Sequence, residues 1–203
     1  MLKPFIVASA LAITPLAALA QTTPIASMPA GVYVTDPTHT SVTWKVNHMG
    51  LSNYTARFTR VNATLTFDPK DPTKSSLIAI IDPTSIRTDF IGDEDFDGVL
   101  AKNEQWFNAG KYPEIKFEST KIEKTGEKTG KIYGNLSMLG VTKPLTLNVT
   151  FNGAYAEKPF MKTPGLGFSA NTVVKRSDWG MSQHVPMVGD DVGVFIETEW
   201  NKK

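Results

Sequence analysis

Along residues 131–151 hydrophobic and polar positions alternate. Ile132, Gly134, Leu136 and Met138 share one parity, and Tyr133, Asn135 and Ser137 share the other. After Leu139-Gly140-Val141-Thr142-Lys143-Pro144 the alternation resumes, with Leu145, Leu147, Val149 and Phe151 set against Thr146, Asn148 and Thr150. A period of two describes strands with one buried face and one wet face. The short link bearing Gly and Pro makes the two strands antiparallel neighbours.

Most of the remaining chain repeats this pattern. A short strand over 33–36 stops at Pro37. Val42, Trp44, Val46 and His48 then alternate with Ser41, Thr43, Lys45 and Asn47. Val61, Ala63, Leu65 and Phe67 share one face of residues 54–67, while Phe58 has the opposite parity, which predicts a bulge or register change near Arg60. Residues 77–81 are apolar on both parities and predict cover on both faces. Ile115, Phe117 and Ser119 share a face before a charged hairpin tip over 121–131, and a Pro-rich loop spans 157–164. Leu166, Phe168, Ala170, Thr172 and Val174 line one face of the next strand, and Val192, Val194, Ile196, Thr198 and Trp200 one face of the last. Only residues 82–113 break the alternation for long; they predict two short helical turns, over 93–100 and 103–108, with acidic or Asn caps.

The pattern is all-β, with eight or nine strands and one helical excursion. The last strand needs a partner, and closure onto the early strands supplies one while removing exposed edges. The expected architecture is therefore an eight-stranded antiparallel barrel. Such a barrel is just wide enough to be filled by side chains or to hold one small ligand. The small inward residues Ala63, Ser119, Gly134 and Ala170 leave volume for a ligand, or else accommodate large neighbours such as Trp44 and Phe117. The sequence supports both.

Composition narrows the function classes. Lys3, an apolar run over 5–19 and Ala18-Leu19-Ala20 before Gln21 form a cleavable export signal. The run is shorter than the ~20 residues of a membrane span, and Pro15 interrupts it. The expected organisation is a signal over 1–20, a flexible Thr/Pro/Ala-rich leader over 21–30 and one barrel domain over 31–203, exported to a periplasm. Without Lys3, the 21 Lys and Arg come level with the 20 Asp and Glu. No basic excess or stripe points to nucleic acid. No long amphipathic basic helix points to a membrane surface, and no stable membrane insertion is expected. The chain has no Cys, which excludes disulfides and thiolate chemistry.

The order and spacing of several short motifs resemble the YceI-like domain family, lipocalin-like periplasmic proteins linked to polyisoprenoid binding. The resemblance spans nearly the whole chain after the leader. Asp36-Pro37-Thr38-His39-Thr40-Ser41-Val42 is similar to the family's opening D-P-x-H-S/T-x-V. Val46-Asn47-His48-Met49-Gly50 and Ala56-Arg57-Phe58 follow, then Ser85-Ile86-Arg87-Thr88, Trp106-Phe107-Asn108 and the stretch from Tyr112-Pro113 to Phe117-Glu118-Ser119. Gly134-Asn135-Leu136, Gly140-Val141-Thr142-Lys143-Pro144 and Arg176-Ser177-Asp178-Trp179-Gly180 complete the series. Two positions depart. Ala56 stands where the family often has Gly, and Asp95-Phe96-Asp97-Gly98-Val99-Leu100 replaces an R-D-x-H-L segment. The second departure bears on a ligand's head group.

The resemblance implies a lipocalin-like barrel that sequesters or carries an amphiphilic lipid, a polyisoprenoid or an isoprenoid quinone, with no other cofactor. The expected cavity residues are Trp44, Val46, His48, Ala63, Leu65, Phe67, Phe117, Ser119, Gly134, Leu136, Phe168, Ala170 and Val194. His39, Arg176 and Asp178 are expected as polar groups at the mouth, and the resemblance places the excursion near one mouth of the barrel. The histidines His39, His48 and His184 lack metal-ligand spacing, so no metal site is expected. Ser177 lacks the strand-to-helix elbow of a hydrolase nucleophile. The alternatives are a binder of another amphiphile such as a fatty acid or amide, a hydrolase using His184 with the acidic loops, and a solid-cored stress or interaction protein. A monomer and a dimer are both compatible with the chain.

Overall fold

The structure, a computed structural model, describes residues 22–203. The expected export signal over 1–20, with cleavage after Ala20, lies outside the described residues. Ten strands and one α-helix follow one another as β1 (Gly31–His48), β2 (Ser52–Phe58), β3 (Val61–Phe67), β4 (Ser76–Ile81), β5 (Ile86–Arg87), α1 (Phe96–Lys102), β6 (Ile115–Lys124), β7 (Thr129–Met138), β8 (Val141–Tyr155), β9 (Gly165–Lys175) and β10 (Val188–Lys202). The sheet order is β10-β9-β8-β7-β6-β4-β3-β1-β2-β5, and β10 pairs back onto β1. β1 meets β3 through Gly31–Val34 and β2 through Val42–His48. Thus β2 and β3 are two halves of one barrel strand, and β5 is a two-residue flap on β2. The result is a closed antiparallel barrel of eight strands.

The interruption between β2 and β3 falls at Thr59-Arg60, where the off-parity Phe58 predicts an irregularity. Both freed backbone N–H groups donate to the hydroxyl of Ser85, at 3.2 and 3.0 Å. Ser85 is fully buried. The expected strands over 33–36 and from 41 onward are one strand, β1, whose pairing with β10 shifts register between Thr35 and Thr40. Pro37 sits inside this irregularity, where its missing N–H removes no ladder bond.

Strand directions define two ends. The α1 end collects the loops at 49–51, 82–114, 139–140 and 176–187. The opposite end, called the hairpin end, collects the loops at 68–75, 125–128 and 156–164 together with residues 22–30. Three expectations are corrected here. Ile78 is exposed, because no element among the described residues covers the outer face of β4 there. Residues 103–108 form turns rather than a second helix, with Phe107 N–H bonded back to Leu100 and Ala109 N–H to Ala101. Residues 22–30 are not a loose leader. Thr23 N–H donates to Ala154 O at 2.7 Å, and Met28 is buried in the core.

Candidate functional site

The inward parities of the strands enclose a cavity of about 540 Å³. Each barrel strand contributes, for example Trp44 and Val46 from β1, Leu65 from β3, Leu77 from β4, Phe117 from β6, Leu136 from β7, Leu147 from β8, Phe168 from β9 and Val194 from β10. The walls are almost entirely apolar. Two wall hydroxyls are spent on carbonyls: Thr172 donates to Thr146 O at 2.8 Å and Thr198 to Phe168 O at 3.2 Å. The Trp44 indole N–H is buried and has no acceptor among the described residues. The sequence left open whether the interior holds a cavity or is packed solid, and the structure holds a cavity.

Of the residues expected there, Trp44, Val46, His48, Ala63, Leu65, Phe67, Phe117, Leu136, Phe168, Ala170 and Val194 line the cavity. Ser119 and Gly134 do not. They are paired partners in the β6–β7 ladder, immediately before a register shift between Ser119 and Lys121. The Ser119 hydroxyl accepts the Leu77 N–H at 2.8 Å, so it is turned into the β4 edge. The shift passes the inward position on to Ile122. At Gly134 the Phe117 ring and the Glu118 carbonyl occupy the place a Cβ would need. Its smallness is therefore filled by Phe117 rather than left as volume.

Sequence reasoning missed Ile25, Tyr54, Phe96, Trp106 and Met181, which also line the cavity. All lie off the strongest alternation. Tyr54 and Phe96 meet edge-on at 6.2 Å, and Trp44 lies 6.4 Å from Tyr54, so an aromatic series closes this end. Leu100 and Met181 are buried beside it.

The mouth residues are placed differently from expectation. Arg176 reaches the cavity wall but is 4 % exposed, and four backbone carbonyls occupy its guanidinium. These are Gly189 O at Nε, Met181 O at Nη1, and Gln183 O and Val188 O at Nη2, all within 2.8–2.9 Å. Burial lowers its pKa, opposed by the nearby Asp190. Arg176 thus ties down the 176–189 loop and has little left for a head group. Asp178 lies outside the cavity and pairs with Lys143 at 3.5 Å. The Ser177 hydroxyl donates to Asp190 at 2.7 Å, and His184 lies beside Trp106 with no carboxylate partner among the described residues.

His39 also lies outside the cavity. Asp36, buried within the β1 irregularity, accepts from the Thr38 hydroxyl at 2.6 Å and the Thr38 N–H at 2.9 Å. Its other oxygen faces His39 Nδ1 at 3.2 Å and Asn201 at 3.4 Å. These bonds, led by the Thr38 hydroxyl and opposed by burial, hold the Asp36 carboxyl well below the usual carboxylate range. Asp36, His39 and Glu199 bring ligand atoms within 4.8 Å of one another, as a metal would need. The Lys158 ammonium already stands there, 2.8 Å from Glu199 and 3.9 Å from Asp36. The cluster carries its own cation and locks the seam between β1 and β10.

The cavity reaches solvent mainly at the hairpin end. The β4–β6 ladder stops at Ile78–Glu118. Beyond it the wall is completed by the turn Pro72–Lys74 facing the β6–β7 hairpin. Exposed Thr73, Lys124, Glu127, Lys128 and Lys131 line the cavity there, against His184 alone at the α1 end.

The YceI-like domain family matches residues 33–200. A UPF0312 protein of Pseudomonas putida is 34% identical over 149 residues, covering 70% of this chain and 71% of its own. The crystal structure of the Campylobacter jejuni YceI protein superposes with a TM-score of 0.67 at 31% identity, over 78% of this chain and 91% of that one. A polyisoprenoid binding domain from Saccharophagus degradans shares the fold, with a TM-score of 0.62 at 13% identity over 86% of this chain and all of that one. With a matched span that includes nearly every strand of the barrel, the chain belongs to the YceI-like domain family.

Proposed function

We propose that this protein binds an amphiphilic lipid, with the apolar tail in the barrel interior, and sequesters or carries it through a periplasm. The observation that carries this reading is the cavity of about 540 Å³ with apolar walls. Removing a hydrocarbon tail from water into such a space is favourable by ~25 cal/mol per Å² of apolar area. A tail longer than the cavity would extend through the opening at the hairpin end. The buried N–H of Trp44 favours a ligand that brings an acceptor oxygen over a bare hydrocarbon. The ligand class proposed is polyisoprenoid or isoprenoid quinone, in keeping with the name of the Saccharophagus degradans domain. No catalytic step is assigned to the site.

Native mass spectrometry of the protein purified from its own host tests this directly. A co-purifying species whose fragments step by isoprene units is the expected result. A fatty acid or fatty amide would replace the ligand class. Protein that arrives empty and takes up none of these lipids when they are added would overturn the reading.

A further inference from the structure

A net charge near zero conceals a separation of charge that only the fold creates. Segments 68–74, 121–131, 156–164 and 200–203 meet at the hairpin end and carry ten Lys against five carboxylates. Segments 82–114 and 176–191 lie at the α1 end and carry eleven carboxylates against four Lys and Arg. Internal pairing reduces this without cancelling it. At the α1 end Asp82, Asp97, Asp178 and Asp190 pair with Arg60, Arg87, Lys143 and Lys175, which leaves seven carboxylates there without an ion pair among the described residues. At the hairpin end Lys158 pairs with Glu199. Lys74, Lys121 and Lys162 are held by Asp71, Glu123 and Glu157. Lys70, Lys124, Lys128, Lys131 and Lys203 are exposed and make no ion pair among the described residues. Three of these, Lys124, Lys128 and Lys131, border the opening of the cavity. At the same end the loop at 156–164 presents Phe160, 97% exposed, with Met161 half-exposed beside it.

We propose that the hairpin end is a docking face for a bilayer surface containing anionic phospholipid. The cations meet the head groups, Phe160 reaches the acyl boundary, and the acidic α1 end faces water. The surplus cations are spread over separate protruding segments around an opening, a layout suited to a broad, deformable anionic surface. An aromatic side chain at a loop tip flanked by lysines has the amphipathic character that settles at a membrane interface. The α1 end exposes more apolar side chains, Met49, Leu51, Phe90, Ile91 and Met187 among them, with Ile91 at 99% and Leu51 at 82%. Ile91 stands in the acidic segment, which an anionic surface repels, so charge distinguishes the two ends. The opposed end charges also orient the molecule as it approaches. Docked this way, the cavity opens toward the bilayer.

Co-sedimentation of the mature protein with vesicles tests the proposal. Vesicles of phosphatidylcholine plus phosphatidylglycerol are expected to retain the protein at low salt. Pure phosphatidylcholine vesicles are expected to retain far less, and retention should fall as salt shortens the screening length. The double variant Lys124→Glu with Lys128→Glu is expected to partition at least about tenfold more weakly. Phe160→Ser should weaken binding, and Ile91→Ser should leave it unchanged. All four positions are exposed, so melting temperatures are expected to match the parent and to confirm folding. Equal retention on both vesicle types, parent-like binding of the double variant, or loss of binding through Ile91→Ser would each overturn the proposal. So would duplex DNA competing as well as anionic vesicles at equal phosphate. Ala170→Phe, which fills the cavity, is expected to dock normally, so failure to dock and failure to carry lipid are separable.

Discussion

Two side chains the sequence singles out as polar mouth groups, Arg176 and His39, serve the frame instead. Replacing Arg176 with Ala would strand four buried carbonyls. Each unsatisfied buried polar group costs roughly 1–3 kcal/mol, relieved in part by water entering the loop, so a net loss of about 3 kcal/mol is expected. In a domain of this size that lowers the melting temperature by roughly 10 °C, which calorimetry would register. Asp36 makes the matching case for the β1–β10 seam. Its folded pKa lies below its unfolded value, so the folded state binds fewer protons than the unfolded one as pH falls through that interval. The stability it contributes is complete above the unfolded pKa of about 4 and drains away as the medium becomes more acid. Asp36→Asn should therefore melt well below the parent at pH near 7, and the gap should narrow as pH drops below about 4. A gap of constant size across that range would show that hydrogen-bond geometry, not charge, is what matters there. Neither role was legible in the sequence. A buried Arg bonded to backbone and an Arg at a mouth have the same neighbours in the chain, and only the approach of the 181–189 carbonyls distinguishes them.

At the scale of elements, alternation read the barrel well where one face is wet and the other apolar. The inward set of β1, Val42 to His48, and that of β3, Val61 to Phe67, stand where parity puts them. Parity fails at the shift beside Thr120, because a bulge adds a residue without marking the sequence, and Ser119 and Ile122 exchange roles across it. Residues 22–30 were illegible for another reason. Ile25 and Met28 pack as isolated apolar anchors in a segment that has no period. As the longest break in the alternation, the excursion over 82–113 is where a mobile gate to the cavity would be sought first, yet Ser85 and Ile86 within it are fully buried and Leu100 and Ala101 nearly so. The elements with fewer partners are its 89–95 tip and the β6–β7 hairpin beyond Glu118, which β4 no longer flanks. Amide hydrogen exchange should thus be slowest across the central β7–β8 ladder and fast in both 89–95 and 121–131. Uniformly fast exchange over all of 82–113, with a protected hairpin tip, would return the gate to the α1 end.

For the whole molecule the open question of the sequence, a filled barrel or a hollow one, has a structural answer whose consequence can be measured. Ala170 lies on β9 between Val149 of β8 and Ile196 of β10, and all three side chains line the cavity. Its methyl group therefore borders empty volume. In a solid core, Ala170→Phe would force neighbours off their rotamers and cost roughly 1–3 kcal/mol. In the hollow barrel the new ring enters space already present and buries apolar area against Phe168 and its neighbours, so stability should change by less than about 1 kcal/mol. The same ring takes up room a lipid tail would use. The expected outcome pairs two measurements on one variant: melting within a few degrees of the empty parent protein, and loss of lipid in native mass spectra. Each half answers a different question. A variant that melts far lower would mean the interior has no room to give. A variant that melts normally and still carries the parent's lipid would mean the tail lies elsewhere, and the barrel interior would no longer be the binding site.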